Sequence, residues 1–180
     1  MKAGFLYLIG QLRAGGSERQ LFYLLQYMDR ERYRPAVAVW NFSEEDTYVK
    51  EIQALNVPVY RLADAQFSAA NLSAFRSLVR EVNPQIVHSY SFFTNIAVWW
   101  GTVGTKAIAL GSLRGEFSQT QQDCGFWLGK LSARWPEIQV FNNVAAAEAV
   151  RSDRGIFAPQ RQIVVRNGID LKPLYRSTNT

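Results

Sequence analysis

Residues 5–20 read Phe5-Leu6-Tyr7-Leu8-Ile9-Gly10-Gln11-Leu12-Arg13-Ala14-Gly15-Gly16-Ser17-Glu18-Arg19-Gln20. The five leading apolar residues lack alternation, which suits a strand buried on both faces. Beyond the glycine pair, Leu21, Leu24, Leu25 and Met28 recur at helical spacing. Ser17 through Gln20 has the pattern of a capping box, so a helix is expected to begin there. Strand, glycine turn and helix together make the opening unit of a parallel α/β sheet.

The same unit recurs along the chain. Further strands are expected at Ala36–Trp40, Val57–Leu62, Ile86–His88, Ala107–Leu110, Ile138–Phe141 and Ile163–Val165, each a short Val-, Ile- or aromatic-rich run. Between them lie helical stripes: Tyr48, Ile52, Leu55; Leu72, Phe75, Leu78, Val79, Val82; Ile96, Trp99, Trp100, Val103; and Leu128, Leu131, Trp135. Pro84 should stop the third helix, because it disfavours helical geometry at Asn83. Asn143 is placed to cap a helix over 145–150. The pattern predicts a Rossmann-like parallel sheet of about seven strands with helices on both faces. Residues 1–170 form this domain, and 171–180 lose periodicity and turn polar, as the start of a linker or tail would.

Composition narrows the class. The chain has 180 residues, 48% hydrophobic and 19% charged, with net charge +5. That balance excludes disorder as the dominant state. No apolar run approaches the roughly 20 residues of a membrane span, and no small-residue cleavage site follows the short apolar start. A single cysteine, Cys124, and a single histidine, His88, exclude an internal disulfide and a histidine metal cluster. A reducing, cytoplasmic location is expected. Residues 151–180 carry six basic side chains (Arg151, Arg154, Arg161, Arg166, Lys172, Arg176) against Asp153 and Asp170. They form no contiguous run, so a solvated face is preferred over an anionic partner, and no nucleic-acid partner is expected.

In open α/β sheets ligands bind beyond the carboxyl ends of the strands. Gly15 and Gly16 end the first strand's loop at a helix N-terminus, where backbone N–H groups can meet an anion. Neither a Walker lysine nor the G-x-G-x-x-G spacing is present. A sugar or phosphate site and a plain connector both remain open there. His88 ends the fourth strand, and no G-x-S-x-G elbow provides a serine nucleophile. Arg114, beside Gly115, can aim its fork at a carboxylate, phosphate or sugar hydroxyl, or can pair with Glu116 on the surface. Asn167-Gly168 is a turn signal. Trp127, Lys130, Arg134 and Trp135 form either a membrane-facing patch or, preferably, a core stripe with charged edges.

Taken in order, Gly15-Gly16-Ser17-Glu18-Arg19, Pro84-Gln85-Ile86-Val87-His88-Ser89, Leu113-Arg114-Gly115, Asn142-Asn143 and Ile163 to Asp170 resemble the N-terminal half of retaining, GT-B-fold glycosyltransferases of family four. The resemblance implies one half of a GT-B fold and transfer of a hexose from a nucleotide sugar to a glycan or lipid-linked acceptor. It implies no metal and no other cofactor. Gly15 and Gly16 would approach the donor diphosphate. Tyr90, His88, Arg114, Asn143 and Gly168 would face the acceptor or sugar, with catalytic residues unassigned. Many relatives read His-x-His where this chain has His88-Ser89-Tyr90, so Tyr90 stands in the sugar-facing place. It is expected nearer the open end of the sheet, with His88 deeper. Most donor contacts in the family come from a C-terminal domain that these residues do not include, so the chain alone is expected to be inactive. Peripheral contact with the inner membrane face is a further expectation. The alternatives are a non-catalytic sugar- or phosphate-binding module, or a fragment of a GT-B-like sugar-nucleotide epimerase.

Overall fold

A computed structural model of the chain describes residues 2–62, 69–115, 120, 123–152 and 158–169. The strands are β1 (Ala3–Ile9), β2 (Tyr33–Val39), β3 (Val59–Arg61), β4 (Ile86–Ser89), β5 (Ile108–Leu113), β6 (Ile138–Phe141) and β7 (Arg161–Val164). They form one sheet in the order β3-β2-β1-β4-β5-β6-β7, with every pairing parallel. The helices are α1 (Gly16–Tyr27), α2 (Thr47–Ala54), α3 (Ala69–Val82), α4 (Asn95–Thr102), α5 (Phe126–Arg134) and α6 (Val144–Ser152). The chain builds outward from β1 to β3 and then returns to lay β4 beside β1. The order therefore reverses between β1 and β4, where a ligand crevice is expected.

Alternate residues of each strand serve opposite faces. Tyr7, Ile9, Val37 and Val39 pack under Leu21 and Leu25 of α1 and under Val49 and Ile52 of α2. Leu6, Leu8, Ala36, Ala38 and Val87 pack against Phe75, Leu78 and Val79 of α3 and Ala97 and Val98 of α4. That second face continues through Leu113 and Phe141 to Ala133 of α5 and Ala146, Ala147 and Val150 of α6. On the first face, α1 and α2 reach only across β1–β3. Among the described residues no helix covers His88, Leu110, Val140 and Ile163, which instead line an open pocket.

All seven expected strands are present, with ends moved by up to three residues. Both Asn56 (φ 56°) and Asn83 (φ 45°) close their helices in the left-handed region, which asparagine tolerates better than most residues. Asn143 caps α6 as expected, its Oδ1 accepting from Ala146 N at 2.7 Å. The capping box does not form. Helix α1 starts at Gly16 with Gly15 as N-cap, so Ser17 already lies inside the helix. Gln20 is thereby freed for a different partner.

One buried side chain ties the second layer to the sheet. Asn95, fully buried at the start of α4, donates to Ser112 O (3.1 Å) and Ser132 O (3.1 Å) and accepts from Ser112 N (2.9 Å). Gly111 is glycine for steric reasons: a Cβ there would lie 2.9 Å from Pro136 Cδ, 3.0 Å from Gln139 Cγ and 3.1 Å from Asn95 Cγ.

Candidate functional site

The loop leaving β1 is held from three sides. Gly10 N donates to Ser91 Oγ (2.9 Å), Leu12 N donates to Asp46 Oδ2 (3.0 Å), and Tyr48 N donates to Leu12 O (2.9 Å). Leu12 is fully buried and Asp46 nearly so. Asp46 Oδ1 also meets Arg13 Nε at 3.4 Å, but Arg13 is largely exposed, so that pair adds little. The loop is therefore a built element rather than a slack connector. It delivers Gly15 in extended geometry (φ −163°) and Gly16 at the first turn of α1. A Cβ on Gly16 would meet nothing within 4 Å, so its outer side is open.

Beyond the β1–β4 reversal, Tyr7, His88 and Tyr90 form an aromatic cluster with centroids 5.3–5.8 Å apart. The Arg114 guanidinium lies 3.7 Å from the Tyr90 ring centroid, a cation–π contact. Its Nε is buried without a hydrogen-bond partner among the described residues. Burial holds Arg114 below the usual arginine range, offset by Tyr90 and Tyr7. Burial likewise pushes the Tyr90 phenol up, against the opposing pull of Arg114. His88 Nε2 is 3.0 Å from Ser112 Oγ. Burial first, and the Arg114 charge second, lower its pKa from 6.5 to about 3, so the imidazole is neutral at neutral pH.

The order of burial is the reverse of the sequence expectation. Tyr90 is 4% exposed, whereas His88 is only half-buried. The chain leaves the sheet after Ser89, and the Tyr90 ring turns in beneath Arg114. His88 lines the larger pocket, over the strip of sheet that no helix among the described residues covers. The two rings do share a side, as alternation requires, while Ser89 Oγ turns to Thr94 Oγ1 at 2.8 Å.

Two pockets meet at this edge. The larger, about 480 Å³, is bounded by Tyr23, Leu24 and Tyr27 of α1, by His88, Tyr90 and Arg114, and by the segment from Val165 to Ile169. The smaller, about 210 Å³, is polar and lined by Gly16, Ser17, Glu18, Gln20, Arg114, Asn142 and Asn167. Gln20, Arg114 and Asn167 belong to both. The structure thus gathers Gly16, His88, Tyr90, Arg114 and Gly168 at one carboxyl edge. Gly15 adjoins them through Glu18. Asn143 is turned to its helix and to Asn142 (Nδ2 to Oδ1, 2.9 Å), and Asn142 is the member of the pair that lines the pocket. The Glu116 pairing, Asp170 and the 171–180 tail lie outside the described residues.

Glu18, Gln20, Asn142 and Asn167 were not singled out as site residues from the sequence. Glu18, Asn142 and Asn167 lie within the quoted motifs and Gln20 one residue beyond the first, so the signal for them was membership or nearness rather than residue chemistry. In the aromatic stripe, Trp135 stacks on Trp99 (5.0 Å, 28°) while Trp127 is 69% exposed, so only part of that stripe is core. Among the described residues, no helix is long and apolar enough to cross a membrane, and no group of three or more His, Cys, Asp or Glu side chains could hold a metal.

A parallel sheet with a reversal crevice, a glycine-led helix N-terminus and an Arg- and Asn-lined polar pocket places a concave site where open α/β domains hold their ligands. Residues 14–173 match the model of Glycosyltransferase Family 4, and the chain belongs to that family. No curated protein matches it in sequence. HepE from Anabaena, solved in complex with UDP and glucose, superposes with TM-score 0.68 at 14% identity, over 94% of this chain and 45% of that one. The apo lipopolysaccharide outer core galactosyltransferase WaaB gives 0.73 at 10% identity, over 94% and 47%. A glycosyltransferase from Rickettsia africae gives 0.65 at 12% identity, over 99% and 46%. The chain therefore has the GT-B half-domain fold and spans a little under half the length of these neighbours.

Proposed function

We propose that this chain is the acceptor-side, N-terminal half of a nucleotide-sugar-dependent glycosyltransferase that moves a hexose, with retention and without a metal, onto a glycan or lipid-linked acceptor. The observation that carries the reading is the convergence of Gly16, Arg114, Asn142 and Asn167 on one polar pocket at the sheet's carboxyl edge. Amide and guanidinium donors around a small concave site suit sugar hydroxyls. The open outer side of Gly16, at the N-terminus of α1, suits a donor diphosphate arriving from a second domain. Family membership and the UDP and glucose bound by HepE support the choice of ligand class. Work at the inner face of a membrane fits a lipid-linked acceptor, and the exposed Trp127 is the contact that this part of the reading would use.

The neutral His88 and Tyr90 rings form an apolar wall beside Arg114, orienting a sugar without exchanging protons near neutral pH. The deciding experiment expresses the whole gene that encodes these residues and supplies UDP- and GDP-hexoses with membrane-derived acceptors. Acceptor-dependent incorporation, with the anomeric configuration read by NMR, supports the proposal. Conversion of the donor sugar without an acceptor indicates an epimerase instead, and binding without turnover indicates a recognition module.

A further inference from the structure

The ladder between β5 and β6 ends at the pair Leu113–Phe141, and the next residue of each strand, Arg114 and Asn142, lines the polar pocket. Past that last rung a side chain takes over from the backbone. Asn142 Nδ2 donates to Arg114 O at 3.0 Å. Asn143 Nδ2 donates to Asn142 Oδ1 at 2.9 Å, and Asn143 Oδ1 accepts from Ala146 N at 2.7 Å. The three bonds form one relay from the first turn of α6 to the Arg114 carbonyl. An amide can bond either way round, so its partners set its orientation. The Ala146 N–H turns Asn143 Oδ1 to the helix and the Asn143 NH2 to Asn142. That NH2 claims Asn142 Oδ1 and leaves the Asn142 NH2 for the Arg114 carbonyl. Reversing either amide would set oxygen against oxygen.

Capping alone does not ask for this arrangement. Aspartate caps a helix as well as asparagine does, but it has no N–H to offer Asn142. The far end of the relay is what gives it a use. Arg114 is the basic side chain that both pockets share. Its guanidinium lies on the Tyr90 ring, and its Nε has no hydrogen-bond partner among the described residues. With so little holding its tip, a long side chain ends where its backbone directs it. We infer that Asn142 and Asn143 are positioning residues: they carry the rigid start of α6 to Arg114 and hold its charge at the junction of the two pockets before a ligand arrives. A group placed in advance spares the ligand the cost of ordering it. Asn143 lines neither pocket, so it acts only through Asn142 and Arg114. The consequence for turnover rests on the proposed glycosyltransferase reading; the placement of Arg114 does not.

Asn143→Asp separates the relay from the cap. The new carboxylate still caps α6 and suits the positive helix end, so a merely structural role leaves this variant stable and Arg114 in place. Under the relay, the carboxylate draws the Asn142 NH2 to itself and Arg114 O loses its donor. NMR of the Arg114 side chain in the 180-residue chain reads the outcome, because the Tyr90 ring current displaces those resonances while the guanidinium lies on the ring. In Asn143→Asp they should move toward the values of a solvated arginine, with Tm unchanged. The uncharged Asn142→Ala should move them the same way, which separates loss of the relay from the added charge. In the whole gene product, Asn143→Asp should lower kcat/KM about tenfold, the upper size of losing one hydrogen bond. An Arg114→Ala background should abolish that loss, since the effect passes through Arg114. Arg114 resonances that stay in place in either folded variant overturn the proposal. So does a loss in kcat/KM that persists undiminished without Arg114. A whole gene product that transfers no sugar fails the glycosyltransferase reading alone, and the Arg114 resonances then decide the relay by themselves.

Discussion

The side-chain amide of Gln20 and the backbone of Gly168 exchange two hydrogen bonds across 148 residues of sequence: Gln20 Nε2 donates to Gly168 O at 2.8 Å, and Gly168 N donates to Gln20 Oε1 at 2.9 Å. An amide of this kind imitates a neighbouring strand, satisfying a donor and an acceptor at once. It fastens the segment after β7 to α1, so that Asn167 lines the polar pocket and Ile169 the apolar one. The latch is the shared wall of the two pockets.

Cutting the latch should loosen the segment without unfolding the domain. Gln20→Ala removes both bonds at an exposed site, at an expected cost of about 0.5–1.5 kcal/mol per bond. Gln20→Glu retains the acceptor but loses the donor, and should fall between. Hydrogen exchange at the Gly168 amide reads this directly. Unchanged protection in Gln20→Ala would mean that the segment is held by something else.

Two glycines separate steric from functional need. Gly111→Ala forces a Cβ against Pro136, Gln139 and Asn95, and overpacking of this sort costs about 1–3 kcal/mol. Gly16→Val meets open space and should change stability by less than about 1 kcal/mol, yet obstruct close approach of a ligand to the backbone. Urea denaturation should rank Gly111→Ala as the more destabilised of the two. Donor kinetics on the whole gene product should rank them in the opposite order. Wild-type kinetics in Gly16→Val would reduce the loop to a connector.

Sequence periodicity revealed the architecture because each β–α unit carries its own buried stripe, as Leu21 and Leu25 over Tyr7 and Ile9 show. It also located the carboxyl-edge motifs, since strand ends are defined by where those stripes stop. It misread Ser17 and Gln20. A local capping pattern and a long-range amide latch require the same residue types, and only the fold places Gly168 beside Gln20. It also reversed the depths of His88 and Tyr90. Counting along a strand gives the side a residue faces, but not whether a helix covers that side. That no helix among the described residues covers His88, Leu110, Val140 and Ile163 is a tertiary fact with no local signature.

Asn95 should be among the more sensitive positions in the domain. Asn95→Leu leaves Ser112 N–H, Ser112 C=O and Ser132 C=O without this partner in a buried setting. At about 1–3 kcal/mol for a buried group left unsatisfied, a loss of several kcal/mol is expected. For a domain of this size each kcal/mol lowers Tm by about 2–4 °C. A calorimetric Tm within 2 °C of the unmodified chain would show that water or a rearranged neighbour replaces the amide.

His88 sets the last expectation, which concerns pH. Its folded pKa, about 3, lies below the ordinary 6.5, so between those values the unfolded chain binds a proton that the folded chain does not. Stability therefore falls as pH drops from about 6.5 toward about 3, and this contribution is fully present above 6.5. The first cause is burial and the second is Arg114, so Arg114→Gln should raise the folded pKa only in part. As the sole histidine, His88 gives one ring C2 proton resonance, which can be followed without assignment ambiguity. It should hold its neutral position through the pH range where free histidine titrates, and move only near the acid limit of the folded state. His88→Gln should flatten the acid limb of the stability curve between about pH 6 and 4. A C2 signal that titrates near 6.5 in the folded protein would show that the ring is solvated and that Arg114 does not act on it.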